Sequence, residues 1–169
     1  MFSTEVNCEI VKATMEDLDR ITELESLCFP QAEAATKSDF EKRLKVYPNH
    51  FFVAKYHNNI ISMVNGLVTD QEDLVDEMYS EATYHNEKGS WQMIFGVDTH
   101  PDYRCKGIAS KVIQSFIAHA KEEKRAGVVL TCKEDLISFY QKFGFKNEGV
   151  SKSEHGGVEW YQMRLVFPL

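Results

Sequence analysis

At 169 residues and 19.5 kDa, the chain has room for one compact domain, expected over residues 1–169, and too little for two. Its 43% hydrophobic and 27% charged residues exclude global disorder, low complexity and collagen-like repeats. A formal charge of -7, from 19 Lys and Arg against 26 Asp and Glu, offers no basic footprint for nucleic acid and would welcome a cationic small molecule.

Asn7 to Lys12 reads as a short strand. Thr14 followed by Asp17 reads as a capping box for a helix carrying Leu18, Ile21, Leu24, Glu25 and Leu27. That helix stops before Pro30. Residues 30–37 read as a loop or weak turn, and Ser38 as the N-cap of a second short helix with Phe40 and Leu44. Phe51–Tyr56 and Ile60–Thr69 form an expected hairpin around His57-Asn58-Asn59. The acidic stretch 70–88 is expected to hold a short helix over Leu74, Val75 and Met78. Met93–Val97 reads as a buried strand. Gly107–Ala126 is the longest expected helix, with Ile108, Val112, Ile113, Phe116, Ile117 and Ala120 on one stripe and Gly127 at its end. Val128–Leu130 has no polar face and reads as a central strand. Glu134–Phe143 is a short helix stopped by Gly144. Phe145–Val150 and Glu159–Phe167 are two further strands around His155-Gly156-Gly157. The last of them reads as an exposed strand, which leaves a homodimer open. The order gives a mixed α/β (α+β) domain without repeats or linkers.

Met1-Phe2-Ser3-Thr4-Glu5 lacks the basic segment and apolar run of a secretory leader, and no apolar run reaches membrane-spanning length. Cys8, Cys28, Cys105 and Cys132 are widely spaced, with no C-x-x-C pair and no nearby His at ligand spacing. Reduced thiols, a cytoplasmic location, no membrane partner and no metal are the expectations.

Val97-Asp98-Thr99-His100-Pro101-Asp102-Tyr103-Arg104-Cys105-Lys106-Gly107-Ile108-Ala109 carries the most information. A strand runs into a turn, and the turn into a helix start. Arg104 and Lys106 bring positive charge, while Gly107 and Ala109 remove side-chain bulk. The first amides of the helix lack internal partners and sit at the positive end of its dipole. Together these make a cradle for a diphosphate. On Gly107 alone, a plain turn with a solvated basic patch is the better reading. The segment is neither a Walker A loop nor a dinucleotide fingerprint.

Arg104-Cys105-Lys106-Gly107-Ile108-Ala109 resembles the R/Q-x-x-G-x-G/A motif of the GNAT superfamily of N-acetyltransferases. Phe139-Tyr140-Gln141-Lys142-Phe143-Gly144-Phe145 is similar to that family's F-Y-x-K-x-G-F stretch. Val129-Leu130-Thr131-Cys132-Lys133-Glu134-Asp135-Leu136-Ile137-Ser138-Phe139-Tyr140 resembles V-L-x-C-x-x-D-L-x-x-F-Y of arylalkylamine N-acetyltransferase-like proteins. The resemblance implies a GNAT-like fold, a central twisted mixed β-sheet flanked by about four helices. It also implies an acetyl-CoA-dependent N-acetyltransferase acting on a small primary amine, aromatic or polyamine-like. A protein Lys or N-terminus, or CoA sensing without turnover, are the rival readings.

By the same resemblance, Phe95, Val97 and Thr99 on the strand and Arg104, Cys105, Lys106, Gly107, Ile108, Ala109 and Ser110 in the loop hold acetyl-CoA. Tyr140 matches the general acid that gives the departing sulfur its proton. Without the motif, Tyr140 would read as a core aromatic among Phe139, Phe143 and Phe145. The His pair of animal relatives is replaced by Met93 and Phe95, neither able to accept a proton. Glu33 is the candidate base, with a solvated loop carboxylate as the plainer reading. Asp98 reads equally as a turn cap, and His100 as a loop residue. Lys133 stands where many relatives have Asn. An acyl-cysteine on Cys105 or Cys132 is disfavoured, because direct transfer needs no thiol.

Overall fold

Local sequence sets most of the elements. In a computed structural model describing residues 6–168, the Thr14 amide donates to Asp17 Oδ2 at 2.9 Å, the capping box that starts α1 (Leu18–Cys28) after one 3-10 turn. The opening Met1–Glu5, read above for a leader, lies outside the described residues. The second helix, α2 (Lys37–Val46), is capped by Thr36 and not by Ser38. The Thr36 hydroxyl accepts from the Asp39 amide at 3.1 Å, and the Thr36 amide donates to Asp39 Oδ2 at 3.0 Å. A reciprocal pair satisfies two orphan amides where Ser38 would satisfy one.

Strands β1 (Glu9–Lys12), β2 (Phe51–Tyr56) and β3 (Asn59–Asn65) pair antiparallel, and His57 and Asn58 take the positive φ that a two-residue hairpin turn demands. The expected strand 60–69 then breaks. It continues as β4 (Val68–Thr69) in a different sheet. The expected strand 93–97 breaks as well, into β5 (Trp91–Ile94) and β6 (Gly96–Thr99). A Cβ on Gly66 would stand 1.8 Å from the Met93 carbonyl oxygen, so only glycine lets the two breaks cross. The fully buried Gln92 amide ties the crossing, donating to Gly66 O and Met93 O, each at 2.9 Å.

The expected single sheet is therefore two. One is antiparallel, in the order β1-β2-β3-β6. The other is mixed, in the order β4-β5-β7-β9-β8, with β7 (Gly127–Cys132), β8 (Lys146–Val150) and β9 (Tyr161–Val166). β7 is central, as its apolar run predicts. The last strand is not an open edge, because β9 lies between β7 and β8. Stretch 70–88 forms two 3-10 turns, Asp76–Tyr79 and Ala82–Tyr84, in place of a helix.

The long helix α3 (Ile108–Glu122) lays Val112, Ile113, Phe116 and Ala120 against Phe52, Ile61 and Val64. Lys124, with positive φ, follows its end, while Gly127 opens β7 with no room for a Cβ beside Leu165 O. Ile21, Leu24, Phe40 and Leu44 of α1 and α2 form a second cluster with Phe51, Val53 and Met63. A 3-10 turn over Glu134–Leu136 leads into α4 (Ile137–Gln141), which Gly144, at φ 99°, separates from β8. The described residues form a mixed α/β fold with four α-helices, none long and apolar enough to cross a membrane.

Candidate functional site

The two breaks open a gap between the sheets. Gly96 and Val97 line a cavity of about 270 Å³ there, with Tyr140 of α4, Cys132 at the end of β7, and Glu25 and Glu33 from the N-terminal segment. Tyr140 and Glu33, 107 residues apart, thus meet in one cavity.

β6 is the edge of its sheet. The His100 amide donates to Ile61 O at 2.8 Å, and alternation in an antiparallel pair then turns Asp98 and Gly96 toward β3. Val97 and Thr99 present their backbone groups to the free edge. The Phe95 amide is taken by Asn65 O at 2.8 Å and is not free for a ligand, although Phe95 lines the cavity. Thr99 O accepts from Arg104 Nε at 3.1 Å and from Cys28 Sγ at 3.3 Å, which pins the following loop to the strand.

That loop delivers its amides free. Cys105 and Gly107 both take positive φ, at 62° and 77°, and no side chain caps α3. The amides of Cys105, Lys106, Gly107, Ile108, Ala109 and Ser110 have no acceptor among the described residues. Nothing stands within 4 Å of a Cβ placed on Gly107, so the space before these amides is open. Arg104 and Lys106 are exposed beside them, while the Ile108 side chain is buried in the core and can offer only its amide. The geometry fits an anion held by consecutive amides.

Tyr140 is 7% exposed, and its hydroxyl has no hydrogen-bond partner among the described residues. Burial pushes the phenol up, so it keeps its proton at neutral pH. Phe139 and Phe145 pack edge-on against its ring and fix it. Burial also pushes the Cys132 thiol up to about 11, away from a thiolate.

Glu33 is buried, and its carboxylate lies 2.6 Å from Lys133 Nζ. His155 Nε2 donates to Glu33 O at 2.7 Å, and the His155 ring stacks on Tyr79 at 4.8 Å. A Cβ on Gly156 would meet Glu33 Cγ at 2.5 Å, so glycine lets the turn before β9 close over this side of the cavity.

Asp98 is not a turn cap. It is 1% exposed in β6, and no N–H or hydroxyl reaches its two carboxyl oxygens. Burial, followed by the charge of the nearby Glu25 carboxylate, raises it well above the usual carboxylate range. Glu25 Oε2 accepts the Ala35 amide at 2.8 Å. Glu25 was legible only as one acidic residue inside the apolar stripe of α1, a placement that a solvent-facing carboxylate would not have. His100 serves the loop, its Nδ1 accepting the Asp102 amide at 3.1 Å.

A model of the Acetyltransferase (GNAT) family matches residues 18–145. Among curated proteins, the uncharacterized N-acetyltransferase ycf52 of Porphyra purpurea is 27% identical over 109 residues, 63% of this chain and 57% of that protein. Serotonin N-acetyltransferase of Mesocricetus auratus is 25% identical over 108 residues, 62% of this chain and 50% of that protein. The chain thus spans about half the length of the curated relatives it matches. The loading GNATL domain of CurA from Lyngbya majuscula shares the fold, with a TM-score of 0.82 at 14% identity, covering 95% of this chain and 98% of that one. With the family model matching well over half of its length, the chain belongs to the acetyltransferase (GNAT) family.

Proposed function

We propose that the protein transfers an acetyl group from acetyl-CoA to the primary amine of a small cationic acceptor. One observation carries this reading: the gap at Gly66 and Phe95 sets a proton-bearing phenol, a free strand edge and buried carboxyls around a single cavity. The open amides of Cys105 to Ser110, with Arg104 and Lys106, suit the diphosphate of acetyl-CoA. The free edge of β6 suits its extended arm, with the Val97 amide able to donate to the thioester oxygen as negative charge develops. Tyr140 gives its proton to the departing sulfur.

The acceptor arrives as an ammonium, with a pKa of about 10, and must lose a proton before it attacks. In this reading Glu25, which lines the cavity, takes that part, with the buried Asp98 kept protonated behind it. Glu33, the base expected from sequence, has Lys133 on its carboxylate and serves better as a wall of the acceptor pocket. Phe29, Phe95, Tyr79 and Trp160 supply aromatic contact for an arylalkyl group, and Glu25 and Asp76 a negative field for its ammonium. The small volume and the closed turn at His155 favour a small amine over a peptide.

The free thiols of Cys8, Cys28, Cys105 and Cys132 accord with a reducing, cytoplasmic setting. Thiol release from acetyl-CoA with phenethylamine, tryptamine, spermidine and a lysine peptide tests the proposal. Fastest release with the aromatic amines supports it. Preference for the peptide removes the small-amine reading.

A further inference from the structure

Away from the cavity, at the far end of α3, three histidines and two glutamates crowd together. They come from three places: His50 before β2, His85 and Glu87 between β4 and β5, and His119 and Glu123 at the end of α3. His119 lies 12 residues beyond Gly107, about 18 Å along the helix from the cradle.

The hydrogen bonds fix the proton positions. His85 Nδ1 accepts the Val68 amide at 3.1 Å, so its proton is on Nε2, which lies 3.5 Å from Glu87. His85 therefore cannot offer a lone pair there. His50 Nε2 donates to Glu87 Oε2 at 2.7 Å, which leaves the lone pair of a neutral ring on Nδ1. His50 is fully buried, and its Nδ1 has no hydrogen-bond partner among the described residues. It sits 3.8 Å from Glu123 Oε1, and His119 Nε2 sits 3.2 Å from the same oxygen. A buried lone pair aimed at a carboxylate is unfavourable unless a cation lies between them.

We propose that His50 Nδ1, His119 Nε2 and Glu123 Oε1 bind one divalent transition-metal ion, with Zn2+ the best fit. Four-coordinate zinc with bonds of about 2.0–2.2 Å separates its ligand atoms by about 3.3–3.6 Å. The separations of 3.2 and 3.8 Å bracket that range, and all three atoms lie within 4.8 Å of one another. Glu87 on His50 Nε2 is the carboxylate that commonly orients a metal-bound imidazole. Arg125 holds Glu87 at 3.0 Å and Glu123 at 3.2 Å. The C-terminal end of the α3 dipole favours a cation. An open hollow lined by Asn49, Glu87, Lys88, Glu123, Lys124 and Arg125 gives entry and a place for a water as fourth ligand. With Lys88 and Lys124 beside Arg125 in that hollow, it is the ligand atoms and not the net charge that call for a cation. The site would clamp α3 to the start of β2, a structural role apart from acetyl transfer.

Equilibrium dialysis of the metal-stripped full chain against Zn2+ tests this. The expected result is one Zn2+ per chain and a rise in the melting temperature with Zn2+. Glu87→Gln should weaken binding about 10–100-fold through loss of the orienting carboxylate. His119→Gln and Glu123→Gln should weaken it further, with circular dichroism confirming their fold. Failure of the wild-type chain to bind Zn2+, or binding that His119→Gln and Glu123→Gln retain in full, would overturn the proposal.

Discussion

Asp98 of β6 is buried with neither carboxyl oxygen hydrogen-bonded, and the negative charge of Glu25 on α1 adds to that burial in favouring its protonated form. The stability of the chain should report that proton. Asp98 is raised above its unfolded value of about 4, so the folded state binds more protons than the unfolded state as pH rises from there. Stability therefore falls with rising pH through this window, at a limiting slope of about 1.4 kcal/mol per pH unit. Asp98→Asn should flatten that fall in urea melts recorded between acid and neutral pH. An unchanged slope would mean that Asp98 does not hold the proton.

Gly107 should matter to acetyl-CoA more than to folding. Its φ of 77° costs a β-branched residue about 1–2 kcal/mol, and a Cβ there would enter the open space before the amides. Gly107→Val should raise the KM for acetyl-CoA by tenfold or more while leaving the KM for the amine little changed. Equal effects on the two substrates would place the diphosphate elsewhere.

The ion pair of Glu33 and Lys133 should be a matched unit. Lys133 is partly exposed, so solvent screens the pair, and Lys133→Met should cost about 1–2 kcal/mol by leaving Glu33 buried without its partner. Glu33→Gln in the same chain should restore most of that loss, a coupling that a double-mutant cycle in urea measures. Additive losses would show that the two do not interact.

Much of this was legible in the sequence. The capping box at Thr14, the stripe of α3 and the central β7 each follow from local pattern. The grouping of Tyr140 with the strand, loop and helix start around Gly107 came from the family resemblance, since local pattern alone makes Tyr140 a core aromatic. The strand breaks were not legible, because Gly66 and Phe95 split only where two backbones cross, a contact between segments distant in sequence. Gly127 reads locally as a helix stop, yet the close approach of Leu165 decides its role. The Glu33 carboxylate looked free because Lys133 lies 100 residues away. The cluster around His50 draws on three separated segments, so no ligand spacing announced it.

The most direct test of the central claim is single-turnover acetylation of phenethylamine at saturating acetyl-CoA, comparing the wild-type chain with Tyr140→Phe. The phenol is buried and bonded to nothing else among the described residues, so removing its hydroxyl should leave fold and acetyl-CoA affinity intact. The rate should fall about 100- to 10,000-fold, the range for loss of a general acid. A Tyr140→Phe chain that acetylates at the wild-type rate would contradict the account.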